Sequence, residues 1–341
     1  MLPTQEEYIG ALSRLLVLFQ QTHRATALMG RPPTHSQRVL LVFFVLMQQR
    51  RIHEFSAQRR WLEQNPRRAA ALGFDHAALP HRSTLSRRFR VLAPTLEALI
   101  AFIGEWAQPL LDEPSTLEPS TRPVTVDKSL FKAHGPVWHQ RDRQAGVVPV
   151  GLRHLDKDAS WSKSAYHGWV YGYGLHLGVE RSGFPLLAQV ESASVSEALM
   201  LQQQHQALCA LGATDVVGDD AYTNIERVQK WAADPLCPLA LVSTGKRLGT
   251  KGDKGAYRRF VRQEPQQTLL RKRKTTIEPI FDLVGKLCGV GDMQKQLPLG
   301  SAARVRPFLL LGVLALQLAM IVNRVWQRPL RNIAHLRAAF A

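Results

Sequence analysis

The sequence is poor in cysteine. Cys209, Cys237 and Cys288 are its three examples in 341 residues, and no two have the Cys-x-x-Cys spacing of a compact zinc module. They are expected to be small core residues in a reducing compartment, with neither a zinc site nor a disulfide framework. Acids are also scarce: 27 Asp and Glu face 44 Lys and Arg, a formal charge of +17. Such a balance points to a polyanionic partner and carries no information about fold. Lysine is missing altogether before Lys128, so the first third of the chain draws its charge from arginine, the better bidentate donor to phosphate and base edges. Met1–Glu7 has no basic n-region and is not expected to be a secretory signal. The apolar stretch Phe308–Val322 is interrupted by Gln317 and falls short of the roughly 20 residues of a membrane span, so a buried helix is expected and no membrane partner. The Gly/Lys-rich segment Thr244–Gly255 lacks the Walker spacing, which argues against a nucleotide cofactor.

What is present is a normal globular chain with 45% hydrophobic residues. Charge is uneven along it. Residues 31–90 hold twelve arginines against Glu54, Glu63 and Asp75, and residues 245–274 hold eleven Lys and Arg against Asp253 and Glu264. The N-terminal part reads as helices: residues 5–30, with Tyr8, Leu12, Leu15, Leu16 and Phe19 on one face, then a break at Arg31-Pro32-Pro33. Thr34 or Ser36 is expected to cap a second helix through Val39–Met47, and a basic helix follows at Phe55–Gln64. Ser83 or Thr84 is expected to cap a short helix with Arg87, Arg88 and Arg90 outward and Leu85, Phe89 and Leu92 inward. That is how a helix-turn-helix presents its reading helix to DNA. A helix over Thr95–Leu110 and a Pro/Ser/Thr-rich linker over residues 111–123 end this part, so a helical, arginine-rich domain is expected over 1–115 and a second domain over 116–341.

From residue 122 the texture turns to strands. Val124–Leu130 is the first; Trp169–Glu180 and Leu186–Glu191 form a hairpin about Ser182-Gly183-Phe184-Pro185. Strands at Asp215–Asp219 and Leu239–Ser243 alternate with helices at Ser194–Leu211, Asn224–Ala232, Thr276–Leu287 and Arg304–Trp326. This order gives an α/β fold, a mixed sheet with helices on both faces. A basic loop is expected at about 244–274, able to run along a phosphate backbone through Lys246, Arg247 and Lys251.

Three acids occupy telling places. Asp127 ends the β-branched run Val124-Thr125-Val126, Asp219 closes Asp215-Val216-Val217-Gly218, and Glu278 follows the basic run Arg271–Lys274 on an amphipathic helix. Carboxylates converging at a sheet edge repel one another unless cations lie between them. Their hard oxygens suit Mg²⁺ or Mn²⁺, and two such ions roughly 3.5–4 Å apart are the apparatus of phosphodiester chemistry. Trp138, His139, Trp161, His167, Trp169, Tyr171 and Tyr173, with Arg141, Arg143 and Arg153, form a band able either to stack on unpaired bases or to pack between strands. His139, His154 and His167 lack a compact metal-binding spacing.

The element order resembles a ribonuclease-H-like fold, and the motifs sharpen the resemblance. Val216-Val217-Gly218-Asp219-Asp220-Ala221-Tyr222 looks like the second-aspartate motif of DDE transposases, Val126-Asp127 like their first, and Ile277-Glu278-Pro279-Ile280-Phe281 like their glutamate helix. The resemblance covers about residues 122–326 and is to bacterial insertion-sequence transposases of the cut-and-paste type. It implies a ribonuclease-H-like domain after an all-α N-terminal one, with Asp127, Asp219 and Glu278 holding two Mg²⁺ or Mn²⁺ ions. It also implies double-stranded DNA partners (terminal inverted repeats and target), a homodimer on DNA and a cytoplasmic, nucleoid-associated bacterial enzyme. The family's Tyr, Arg and Lys around the glutamate fall here on Arg271, Lys274 and Gly285; Lys274 and Lys286, with Arg273 beside them, are the expected phosphate contacts. A structure-specific endonuclease and a non-cutting transposase-derived DNA binder are the alternatives.

Overall fold

The computed structural model describes residues 3–23, 34–111, 121–164, 168–291 and 295–340. The expected end of the first helix (24–30), the break at 31–33, most of the linker (112–120) and His167 lie outside the described residues. In chain order the elements are α1 (Gln5–Thr22), α2 (Gln37–Gln49), α3 (Phe55–Gln64), α4 (Pro66–Leu72), α5 (Arg82–Arg90), α6 (Ala93–Trp106) and α7 (Gln108–Leu111). Then come β1 (Pro123–Lys132), α8 (Gln140–Gln144), β2 (Ser160–Ser164), β3 (Gly168–Val179), β4 (Pro185–Ser192), α9 (Glu197–Ala210) and β5 (Asp215–Val217). The rest are α10 (Ile225–Ala232), β6 (Ala240–Val242), α11 (Gly252–Phe260), α12 (Gln266–Cys288), α13 (Ala302–Val325) and α14 (Ala334–Phe340). Contacts divide the chain into two compact units that are discontinuous in sequence: residues 1–103, 132–158 and 283–341, and residues 104–131 and 159–282.

The first unit is built on α13. Leu309, Leu310, Val313, Leu314, Leu316, Leu318 and Met320 are all buried, under α1, α2 and α5. At 24 residues α13 is long and apolar enough to cross a membrane, but 94% of its most apolar stretch is covered by protein, which makes it a core helix. The glutamine that interrupts it stays dry by donating from Nε2 to the Ile100 carbonyl at 2.9 Å. Ser36 caps α2 as expected, its hydroxyl accepting from Val39 N. The cap of α5 is His81, not Ser83 or Thr84: its Nδ1 accepts from Ser83 N at 3.3 Å, so the helix begins directly after His81. Leu85 and Phe89 point inward from α5, and Phe89 meets Phe44 edge-on at 5.1 Å. Where α13 starts, Asp156 and Asp158 accept from the backbone N–H groups of Ser301 and Ala302, each at 2.9 Å, placing negative charge against the helix's positive end.

The second unit carries a six-stranded sheet in the order β2-β3-β1-β5-β6, with β4 also paired to β3. The hairpin β3/β4 is antiparallel, whereas β1, β5 and β6 run parallel. An antiparallel hairpin beside a parallel set is a ribonuclease-H-like arrangement, and with the all-helical N-terminal region it matches the fold class read from the sequence. Thr125 pairs with Val217, which sets the end of β5 against the middle of β1, a strand that runs on to Lys132.

Three local expectations are corrected. The glutamate helix begins at Gln266, ten residues early, because Leu269 and Leu270 pack against the cluster of Val217, Val242, Tyr257 and Val261. The Gly/Lys-rich segment is helical from Gly252 onward, since Tyr257 and Val261 of that same cluster give α11 an apolar face. Cys209 and Cys237 are joined as a disulfide with Cα atoms 5.7 Å apart, while Cys288 is a buried free thiol. The spacing along the chain hid that pair: it is made by the turn between α10 and β6 folding back onto α9.

Candidate active site

Asp127 and Asp219 are brought together by strand register. In the parallel pair Thr125 stands opposite Val217, and each aspartate lies two residues further along its own strand direction. Neighbouring strands lie about 4.8 Å apart, so the two carboxylates emerge side by side where β5 ends against the middle of β1. The negative charge of Asp219 bears on Asp127. Burial pushes the Asp127 carboxyl up to about 6; the Arg273 guanidinium and the Lys128 N–H oppose that rise, and Asp219 adds to it.

The Val-Val-Gly-Asp-Asp-Ala-Tyr motif is a packing device. The Asp219 side chain accepts from Ala221 N at 2.8 Å and caps a single turn of 3₁₀ helix, which swings Tyr222 back under the strand end. A Cβ on Gly218 would sit 2.7 Å from the Tyr222 ring, so glycine is required there. The Tyr222 hydroxyl is held well above its ordinary pKa, first by burial and then by the charges of Asp127, Glu197 and Asp219. Asp220 turns to other work. It accepts from the Thr244 hydroxyl and from Lys246 N, anchoring the segment after β6.

One cation lies against this cluster and a second braces its strand. Arg273 donates to Asp127 from α12. Lys128, the next residue on β1, is 5% exposed at its side chain and donates to the carbonyls of Ala193 and Val195 at 3.2 and 3.0 Å. It also pairs with Glu197 at 3.3 Å. Its stem crosses Gly174, where a Cβ would lie 3.0 Å away. Lys128 therefore ties the β4–α9 turn to the strand that presents Asp127. The sequence offered no signal for the Glu197 partnership.

The other expected residues are more dispersed. Glu278 is exposed on α12, the helix that delivers Arg273. Spacing puts Lys274, Glu278 and Asp282 on one outward stripe, while Ile277, Ile280 and Phe281 are buried. Glu278 does not join Asp127 and Asp219 in a grouping of three donor atoms within 4.8 Å; among the described residues such a grouping is formed by His205, Cys209 and Cys237. Lys246, Arg247 and Lys251 are placed around the start of α11. Arg87 and Arg88 of α5, and Lys286 near the end of α12, belong to the first unit. The aromatic band divides: Tyr171 and Tyr173 are buried, Trp161 packs on Tyr171 at 5.5 Å, and Trp169 is 61% exposed. Trp138 spends its indole N–H on the Val147 carbonyl.

The donor chemistry fits a hard divalent cation. Two aspartate carboxylates stand side by side on neighbouring parallel strands, and their hard oxygens are the donors such an ion prefers. The second unit is thus a ribonuclease-H-like domain in which Asp127, midway along β1, stands beside Asp219, just past the end of the parallel neighbour β5. A family model described as "Transposase DDE domain" matches residues 118–304, and no curated protein matches the chain. The chain belongs to that transposase family, of the insertion-sequence type. It is accordingly a transposase acting on DNA, in a family that generally uses divalent metal ions.

Proposed function

We propose that this transposase binds the terminal inverted repeats of its own mobile element, cuts at their ends and joins the freed 3′ ends to target DNA. The observation that carries the reading is the register that sets Asp127 beside Asp219. In this reading Asp127, Asp219 and Glu278 hold two Mg²⁺ or Mn²⁺ ions. Glu278 is assigned by its position in the family motif and by its place on the helix that carries Arg273. Ions held by these carboxylates would supply water activation and charge stabilisation at the leaving oxygen.

The chain's own side chains do the rest. Arg273 neutralises Asp127 before catalysis, and once released it faces the phosphate with Lys274, offsetting developing charge, while Lys286 of the first unit contacts DNA phosphate. Lys128 and Tyr222 hold the backbone around Asp127 and Asp219 in place, so that these two carboxylates stay side by side. The freed 3′-hydroxyl attacks a target phosphate directly, with no covalent protein–DNA bond and no ATP. Arg87 and Arg88 on α5 grip the repeat; Lys246, Arg247 and Lys251 contact backbone phosphates. Two ends must be processed together, so the working species is a homodimer on DNA, at the nucleoid of a bacterial cytoplasm.

A strand-transfer assay separates this from its alternatives. With Mg²⁺, a transposase joins a pre-cut 3′ repeat end to plasmid DNA. A structure-specific endonuclease cleaves without joining, and a non-catalytic binder shifts the DNA and leaves it whole. Either of the last two outcomes rejects the proposal.

A further inference from the structure

Away from the carboxylates, three softer donors converge. A ring nitrogen of His205, Sγ of Cys209 and Sγ of Cys237 all lie within 4.8 Å of one another, and His205 Nε2 is 3.8 Å from Cys209 Sγ. His205 and Cys209 are four residues apart on α9, so the helix sets them on one face. Cys237 comes from the turn between α10 and β6, which is fixed by Asp234: its Oδ1 accepts from Leu236 N at 3.0 Å and from Cys237 N at 3.3 Å. The His205 ring is steadied by stacking on Trp231 at 4.4 Å. All three donors are half-buried, within reach of solvent ions.

This is more organisation than a disulfide alone requires. A helix face, a ring stack and a capped turn aim an imidazole nitrogen at the two sulfurs. The Cα atoms of the cysteines are 5.7 Å apart. Two thiolates on one tetrahedral ion, each bonded at roughly 2.3 Å, stand about 3.8 Å from each other. That separation is reachable by side-chain rotation from the present backbone.

We propose that, when the Cys209–Cys237 disulfide is reduced, His205, Cys209 and Cys237 bind one Zn²⁺ ion, with water in the fourth position. Reduction by a thiol reductant transfers two electrons to the disulfide and yields two thiols, while the reductant is oxidised to its own disulfide. Zinc then displaces the two thiol protons to solvent and bonds to both thiolates and to the neutral imidazole. A soft S₂N donor set favours Zn²⁺ over Mg²⁺, so the site does not compete for the ion that suits the carboxylates. Disulfide and zinc exclude each other, because the oxidised sulfurs offer no thiolate. Either clip closes the same loop, since the cysteines are 28 residues apart and the span between them contains β5, Asp219 and α10. The second aspartate's strand is therefore tethered to α9 in both redox states.

The test uses the full-length chain, reduced with dithiothreitol, freed of reductant under anaerobic conditions and titrated with Co²⁺ as a spectroscopic stand-in for Zn²⁺. The expected result is one Co²⁺ per chain, with a thiolate-to-cobalt charge-transfer band and the strong visible bands of tetrahedral coordination. Zn²⁺ should displace it, and excess Mg²⁺ should not. The bands should be missing in the oxidised wild-type chain and in Cys237→Ser. His205→Asn should bind at least about tenfold more weakly, the low end of what losing even a ligand's hydrogen-bond partner costs. A reduced wild-type chain without the charge-transfer band, or a Cys237→Ser chain that keeps it, overturns the proposal. The comparison of reduced with oxidised wild type needs no variant and stands even if a substitution impairs folding. Oxygen ligands give no thiolate band, so the result is independent of the activity assigned to the aspartates.

Discussion

Arg273 donates from Nη1 to Asp127 Oδ2 at 2.8 Å, and the two side chains are only 12% and 20% exposed. The arginine's charge opposes the burial that raises the Asp127 carboxyl, whose pKa stands at about 6 with both acting. Removing the arginine leaves the burial and Asp219 opposed only by the Lys128 N–H. In metal-free protein, Arg273→Met should raise the Asp127 midpoint above its present value by roughly 1 unit or more, an opposing charge being worth 1–3 units. Carboxyl carbon NMR against pH reads this directly, and an unmoved midpoint would deny the pair its electrostatic role.

Gly218 is a steric requirement of the second-aspartate turn. Gly218→Ala should cost about 1–3 kcal/mol, as overpacking against Tyr222 typically does. Gly10, with nothing within 4 Å of an added Cβ, is the control. Its alanine variant should be neutral or more stable by up to about 1 kcal/mol, the helix-propensity difference. Equal denaturation midpoints for the two variants would contradict the packing account.

His176 predicts an acid-sensitive core. It is 2% exposed on β3, and both ring nitrogens are buried with no hydrogen-bond partner among the described residues. Burial first, and the charge of Lys128 second, lower its pKa from 6.5 to about 3. The unfolded chain therefore binds the proton more readily than the folded one. Stability is intact above about 6.5 and is lost as pH falls through the window down to about 3. From pH 7 to pH 5 the loss is about 2 kcal/mol at 1.36 kcal/mol per unit. Asp127, whose pKa is raised, acts with the opposite sign, so the difference between wild type and His176→Leu isolates the histidine. Urea unfolding at the two pH values should show a smaller loss in the variant; parallel losses would clear His176 of the effect.

The arginines of α5 should contribute nonspecific grip. Arg87→Ala with Arg88→Ala should weaken binding to repeat-end DNA. The slope of log K against log salt should flatten by about 0.9 for each phosphate that the variant no longer neutralises. An unchanged slope in a salt titration removes these residues from the interface. Deleting the whole N-terminal region would be a poorer test, because α1, α2 and α5 cover α13 and their loss strips the core of the first unit.

Much of this was legible because it is local. β-Branched runs ended by acids drew attention to Asp127 and Asp219, which the register of β1 and β5 sets side by side. Apolar faces gave the helices, with α3 placed at its observed bounds. What escaped depends on contacts made at a distance. The basic run before Glu278 looked like part of a phosphate-tracking loop, although Leu269 and Leu270 were there to mark a helix. Arg273 lies four and seven residues before the buried Ile277 and Ile280, a phase that sets it apart from its neighbour Lys274. The four-residue step from His205 to Cys209 was visible, but nothing along the chain announced that Cys237 would return to it.

The most direct measurement is strand transfer by Asp219→Asn beside wild type, with Mg²⁺ and a pre-cut repeat end, and with DNA binding measured in parallel. A carboxylate that holds an essential ion should be irreplaceable by its amide. Joining should therefore fall by roughly 10³-fold or more, on the order of the larger single-residue electrostatic losses, while affinity for the DNA stays within a few-fold. Joining that persists in the variant, or affinity that falls as far as activity, would contradict the account.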